Sequence, residues 1–443
     1  MSFQKTAHKG SAMNTPLEHE PPRPYLQIFS WTALLFFMGS LTHLMGSSDG
    51  ESGPLSALYQ PIAAALYIFA MVVLAGTARF RRQVSSYFRD NYWMTVSLAV
   101  VLASTLWSFD PALTARKSIA VVATTLTGVL IGLAYSRSDL TRFLRNTYLL
   151  FIFASFLVSV LLPQYGVHHD DIEHEGRWRG LMGFKNQMAW AAVLFLLVWI
   201  GKWRLSSLLR PAQMIPFAMG IIVLIMCGSA TGILQFVFGA AVLLCLRMYF
   251  RNRSFRILFA MLLILGASIL AASAQSLLAL FLESSGRSET LSGRTVIWAE
   301  VWPYILQKPW LGWGQSAFWS DPTRFFGNYF WVGTRNHSHN AYIEVLLDLG
   351  LIGLIIQMSF MWTLFQSLWR AGKEGHREAP ILLAVMASLM LTGVAGAMFF
   401  RPNTGTWVLI CMISAYCHAR FGYPKRTRRT VTSPTITTQS YQK

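Results

Sequence analysis

Long apolar runs separated by short polar stretches organise almost the whole of this 443-residue chain. Stretches of about 16 to 22 apolar residues recur from end to end, close to what a helix needs to cross a hydrocarbon core. The pattern predicts an all-α chain of about twelve spans. They fall near 25–45, 60–78, 93–108, 117–135, 147–164, 187–201, 212–228, 231–247, 256–275, 341–365, 379–399 and 404–420. One interruption stands out. From 276 to 340 the apolar rhythm stops, and it resumes directly after His337-Ser338-His339-Asn340.

Composition agrees with this pattern. Hydrophobic residues make up 54% of the chain and charged residues 13%, with a mean hydropathy of +0.43. That is the balance of a polytopic membrane protein. The net charge of +18 would point to a nucleic-acid partner if it were clustered on one soluble face. Instead, with the N-terminus placed in the cytoplasm, most Lys and Arg fall in segments 1–24, 79–92, 136–146, 202–211, 366–378 and the C-terminal tail. The acids collect on the other side. This follows the positive-inside rule, and the basic loops suit an anionic leaflet, so membrane lipids replace nucleic acid as the partner. The expected organisation is a disordered cytoplasmic tail at 1–24, a transmembrane domain at 25–420 and a basic cytoplasmic tail at 421–443. The domain includes outer loops at 165–186 and 276–340. Cys227, Cys245, Cys411 and Cys417 all lie inside apolar segments and suggest neither a disulfide framework nor a metal cluster.

Both outer loops carry candidate chemistry. In the first, Arg177, Arg179 and Lys185 stand with Asn186 within ten residues, on the side where the positive-inside rule disfavours cations. A diphosphate suits such a set, because Arg offers a planar fork of donors and Lys a point charge. The plainer alternatives are ion pairs with Asp170, Asp171, Glu173 or Glu175, and a lysine that snorkels at a span entrance.

In the second loop, Ser292-Gly293-Arg294-Thr295 predicts the start of a helix. Val296, Trp298, Val301 and Trp302 would form its apolar side, and Pro309-Trp310-Leu311-Gly312-Trp313-Gly314 would stop it. Arg294 in the first turn could meet an anion at the helix N-terminus, or pair with Glu289 or Glu300. His337 and His339 then stand at the mouth of the following helix, with Asn340 and Glu344 beside them. A neutral imidazole there suits proton transfer from a sugar hydroxyl. Helix capping and a metal pair are the alternatives, and two histidines at i,i+2 without a third ligand are weak support for metal. Arg401, between the last two spans, is a further outside cation. No P-loop, dinucleotide fingerprint or zinc signature is present in the sequence, and no span carries a ladder of interior carboxylates like that of an ion-coupled carrier.

At these residues the chain resembles the O-antigen ligase and polysaccharide polymerase superfamily, and is most similar to bacterial exopolysaccharide polymerases. The resemblance covers roughly 95–415. It rests on Trp107-Ser108-Phe109-Asp110-Pro111, Arg179-Gly180 through Asn186, and Ser292-Gly293-Arg294-Thr295 with Pro309 to Gly314. His339-Asn340 followed by Gly350 and Gly353 completes it. The resemblance implies a GT-C-like inner-membrane glycosyltransferase with a periplasmic active site and no metal or other cofactor. An undecaprenyl-diphosphate-linked glycan would be the donor and a sugar hydroxyl the acceptor, with inversion at the transferred sugar. Arg179 and Arg294 would then stabilise the departing diphosphate and His339 would activate or orient the acceptor. Arg177, Lys185, Asn186, His337, Asn340 and Arg401 would line the substrate. A polysaccharide flippase and a chain-length regulator are the implied protein partners. A polymerase extends lipid-linked repeats, whereas a ligase transfers the glycan to lipid A core or another acceptor. A lipid-linked sugar flippase, or a structural partner in an assembly complex, is the non-enzymatic alternative.

Overall fold

In the computed structural model the described residues are 20–39, 56–169, 174–203, 210–252, 254–256, 294–321, 337–394, 396 and 398–422, with the backbone alone for 294–296. Among them the regular structure is helical, and strand pairing is limited to one isolated bridge between Val167 and Trp178. The helices are α1 (Pro24–Phe37), α2 (Ser56–Gly76), α3 (Ala78–Asp90), α4 (Tyr92–Ala103) and α5 (Pro111–Ala134). There follow α6 (Leu140–Leu161), α7 (Lys185–Gly201), α8 (Pro211–Met226), α9 (Ala230–Arg251) and α10 (Arg294–Gln307). The last three are α11 (Ala341–Lys373), α12 (Ala379–Thr392) and α13 (Gly405–Phe421). Every expected span except 256–275 coincides with one of these helices; that span falls almost wholly outside the described residues. Five helices, α2, α5, α6, α9 and α11, are long and apolar enough to cross a membrane, and the chain is a multi-pass membrane protein.

Burial separates the helices into two classes. In α7, α12 and α13 apolar residues are buried on every side, as in Met188 to Trp199 and Trp407 to Cys417. Such helices form the centre of a bundle. Along α2, α8 and α9 the apolar residues split, and Ile68, Val72, Ile215, Leu234, Val237 and Leu244 are exposed. Stripes of this kind on the outermost helices need hydrocarbon rather than water against them.

Two devices hold the centre. Gly128 and Gly132, four apart on α5, let that helix approach α13 so closely that a Cβ would lie 2.6 Å from the Val408 carbonyl oxygen and 2.3 Å from that of Met412. This is small-residue packing, in which dispersion between close backbones replaces a hydrophobic drive that lipid does not supply. The second device is polar. The Tyr67 hydroxyl lies 2.7 Å from the Thr124 hydroxyl and also donates to the Asn403 side chain. The Asn403 backbone N–H donates to Thr124 at 3.1 Å, and the Trp407 indole to Thr125 at 2.9 Å. Together these bonds tie α2, α5 and the start of α13.

The basic segment at 79–92 is itself mostly a helix. In α3, Phe80 and Tyr87 are buried while Arg79, Arg81, Arg82 and Arg89 face outward, an arrangement suited to a membrane surface. At the same end of the bundle, the Asp139 carboxylate accepts from Lys202 Nζ at 2.5 Å and also caps α6 through the Arg142 N–H at 3.0 Å. Burial alone would raise the Asp139 carboxyl. The Lys202 ammonium and the Thr141 hydroxyl outweigh it and hold the group below the usual carboxylate range.

Candidate active site

The largest departure from a plain bundle is in α11, which is two helices joined at a break. Gly350 adopts φ 65° and ψ −165°, a conformation essentially restricted to glycine. A break inside a membrane helix frees backbone groups that need partners. Here the turn at 309–314 supplies them. The Trp313 and Gly314 N–H groups donate to the Leu347 and Asp348 carbonyls at 2.7 and 2.9 Å, and the Pro309 and Trp310 carbonyls accept from the Leu351 and Ile352 N–H groups at 2.8 and 3.3 Å. The fit leaves no room for a side chain at Gly350, where a Cβ would meet the Trp310 carbonyl carbon at 2.3 Å.

The Trp107-Pro111 motif locks onto the same turn. The Trp107 indole donates to the Leu311 carbonyl at 2.8 Å, and the Phe109 N–H to the Trp313 carbonyl at 2.9 Å. Asp110 caps α5 by accepting from the Leu113 N–H at 3.0 Å. Motifs 200 residues apart in sequence are therefore one structural unit that stabilises the broken helix.

Helix α10 packs on the N-terminal half of α11. The expected start near Ser292 is close, since the helix begins at Arg294. Its buried stripe is a correction to the expected one: Ile297, Val301 and Ile305 face Phe318, Trp319 and Leu347, while Trp298 is half-buried and Trp302 is 49% exposed. Residues four apart on a 3.6-residue helix share a face, so 297, 301 and 305 align and 302 points away. The side chains of Arg294 and Val296 lie outside the described residues.

The histidines sit where α11 begins. Asn340 is the N-cap, its Oδ1 accepting from the Tyr342 and Ile343 N–H groups at 2.9 and 3.2 Å. The capping role considered for the histidines therefore belongs to Asn340. The two imidazoles lie with ring centroids 3.9 Å apart at 72°. His339 is held at φ 55°, and its backbone N–H donates to His337 Nδ1 at 3.2 Å. When neutral, His337 thus carries its proton on Nε2. Below them Glu344 and Asp348 are both buried, one turn apart on α11, and the Arg401 guanidinium acts electrostatically on both carboxyls. The structure thus gathers His337, His339, Asn340 and Arg401 at one mouth. Asp348 was missed as a site residue, although an acid four residues after Glu344 inside an apolar run was a visible signal.

The other candidate residues form a second group around the start of α7. The Arg179 N–H donates to the Gly166 carbonyl at 2.8 Å, and its guanidinium to the Tyr165 and Gln164 carbonyls at 3.1 and 3.5 Å. The Trp178 N–H donates to the Met226 carbonyl at 3.0 Å. The Asn186 Oδ1 accepts from the Ser229 hydroxyl at 2.9 Å, and the Lys185 N–H donates to His168 Nε2 at 3.2 Å. Arg177 is exposed and lies against Gly228. Among the described residues no ion pair joins Glu175 to Arg177 or Arg179; Asp170, Asp171 and Glu173 lie outside them.

Both groups lie at one end of the bundle. Gly201 at the end of α7 touches Ile381 near the start of α12, so these helices run antiparallel and Lys185 is level with the end of α12. There the Gly393 carbonyl accepts from the Ala341 N–H at 2.7 Å, at the first residue after the histidines and their cap. The arrangement presents cations and imidazoles at one rim above buried carboxylates, a combination suited to an anionic substrate that must also lose a proton.

A family model described as O-antigen ligase matches residues 215–358, which include α10, the 309–314 turn and the histidine mouth. The exopolysaccharide production protein ExoQ of Rhizobium meliloti (strain 1021) is 26% identical over 348 residues, covering 72% of this chain and 73% of that protein. Both matches make this chain similar to the O-antigen ligase and polysaccharide polymerase family.

Proposed function

We propose that this chain is an inverting glycosyltransferase that polymerises undecaprenyl-diphosphate-linked oligosaccharide repeats into exopolysaccharide. In this reading the architecture is GT-C-like with about twelve spans, the reaction takes place at the periplasmic face of the bacterial inner membrane, and both tails are cytoplasmic. The observation that carries it is the shared rim: Arg177, Arg179 and Lys185 at the start of α7 lie at the same end as His337 and His339 at the start of α11.

The chemistry follows from charge. The acceptor hydroxyl oxygen attacks the anomeric carbon, and the bond from that carbon to the diphosphate oxygen breaks. The lipid diphosphate leaves with the electron pair, and the hydroxyl proton passes to the His339 imidazole. Negative charge grows on the leaving group as the bond lengthens, so Arg179 and Arg294 aimed there lower the barrier without a metal or other cofactor. His339 is preferred over His337 as the proton acceptor because His337 Nδ1 is already engaged by a backbone N–H. Arg177, Lys185, Asn186, Asn340 and Arg401 complete the substrate-facing set. A flippase that delivers the lipid-linked repeat and a chain-length regulator are the partners this reaction needs.

The O-antigen ligase match favours a second reading, transfer of the glycan to lipid A core or another acceptor. Exopolysaccharide production in the Rhizobium relative favours polymerisation. Deleting the gene separates the two: single repeats left on the carrier support the polymerase, and long lipid-linked chains support the ligase. In the same background His339→Ala is expected to abolish long-chain polysaccharide with the protein still in the membrane. Unchanged chain length would remove His339 from the mechanism.

A further inference from the structure

Ser338, the residue between the two histidines, is held from three directions. Its N–H donates to one oxygen of the Glu344 carboxylate, whose other oxygen accepts from the Trp319 indole at 3.2 Å. Its carbonyl accepts from the Trp298 indole at 2.9 Å. Its hydroxyl donates to the Asn340 carbonyl at 3.0 Å and accepts from the Asn340 N–H at 3.3 Å. Ser338 is fully buried and Glu344 nearly so. Burying a carboxylate is costly unless its oxygens are well used. Here both are used, one on the peptide between the histidines and the other on the Trp319 indole. Trp298 stands one turn after Arg294 on α10, so a single hydrogen bond links the helix that begins at Arg294 to the peptide between the histidines.

We infer that Glu344 and Trp298 are positioning residues, which together fix the two imidazoles relative to the start of α10. This rests on the glycosyl-transfer reading above. His339 occupies a left-handed backbone conformation that a short free segment leaves readily. With the clamp intact the imidazole keeps one placement against the diphosphate site; with it loosened the ring shifts, and a misplacement of about 1 Å costs on the order of 100-fold in rate.

The test uses the full-length chain in lipid nanodiscs, with an undecaprenyl-diphosphate-linked oligosaccharide repeat as donor and acceptor, and turnover measured per folded molecule. Trp298→Phe keeps an aromatic ring but removes the N–H. Glu344→Gln keeps the shape but offers one oxygen to two donors. Each is expected to lower kcat by about 10- to 100-fold with KM for the donor unchanged. A purely structural role would reduce the amount of folded protein and leave kcat per folded molecule at the wild-type value. If Glu344→Gln does not fold, Trp298→Phe decides the matter. Wild-type kcat in Trp298→Phe, or a rise in KM alone, overturns the clamp while an inactive His339→Ala control keeps the glycosyl-transfer reading standing. A fully active His339→Ala overturns both.

Discussion

Arg401 sits beside two buried carboxyls, and its removal isolates them. Glu344 is 6% exposed and Asp348 7%, and Asp348 Oδ1 has no hydrogen-bond partner among the described residues. Taking away the shared cation removes the positive charge that acts on both buried carboxyls. Arg401→Gln is therefore expected to lower the melting temperature in detergent markedly, and adding Asp348→Asn to that variant is expected to recover part of the loss. Arg294 offers the opposite contrast. Arg294→Lys keeps charge but loses the planar fork, so it should reduce polymer length while the melting temperature holds; full activity would favour simple pairing with Glu289 or Glu300. The histidine mouth was legible in sequence because His, Asn and Glu are rare at the edge of an apolar run. The three-way hold on Ser338 was not. Its partners are the Trp298 indole, the Glu344 carboxylate and Asn340, and nothing in local spacing says that a tryptophan 40 residues earlier meets the peptide between the histidines.

At the scale of elements, the broken helix decides most of the site. Gly350→Ala should be severe, because the residue would sit at φ 65° with its Cβ against the Trp310 backbone. The strain alone is about 1–3 kcal/mol, and the clash adds to it. Loss of the monodisperse peak in fluorescence-detected size-exclusion chromatography is the expected readout; a wild-type profile would mean that the break relaxes into a continuous helix. The apolar pattern located α11 but hid its break, since helical periodicity continues through Gly350 undisturbed. The same blindness affected the motifs. Trp107 to Pro111 and Pro309 to Gly314 look like separate signatures along the chain, and folded they are the two sides of one hydrogen-bonded support. Periodicity also misassigned one face of α10, where Ile297 takes the buried place expected for Trp302.

At the scale of the whole molecule, the bundle has a rim with histidines and cations, and an opposite end held by exposed basic residues and a few ion pairs. The Asp139–Lys202 pair at that second end has a defined pH signature. Its carboxyl titrates below the ordinary value in the folded protein, so its contribution is fully present above the unfolded pKa of about 3.9 and is lost as pH falls through the folded value. Asp139→Asn keeps a side-chain cap and is expected to cost about 1 kcal/mol near neutral pH through the lost ion pair, and to flatten the wild-type loss of stability below about pH 4. Parallel melting curves of the two proteins across that range check it. Charge asymmetry and span positions made this layout legible, whereas the close contact of α5 with α13 depends on Gly128 and Gly132 facing one partner, which no single-chain pattern specifies.

The support of the broken helix also has an order in time. The residues that satisfy the Leu347, Asp348, Leu351 and Ile352 backbone groups lie at 309–314, and those that brace them at 107–109, all N-terminal to α11. During synthesis every partner of the break has therefore left the ribosome before α11 itself emerges. A circular permutation that moved α11 ahead of 309–314 would deliver the break to the translocon with its polar groups bare.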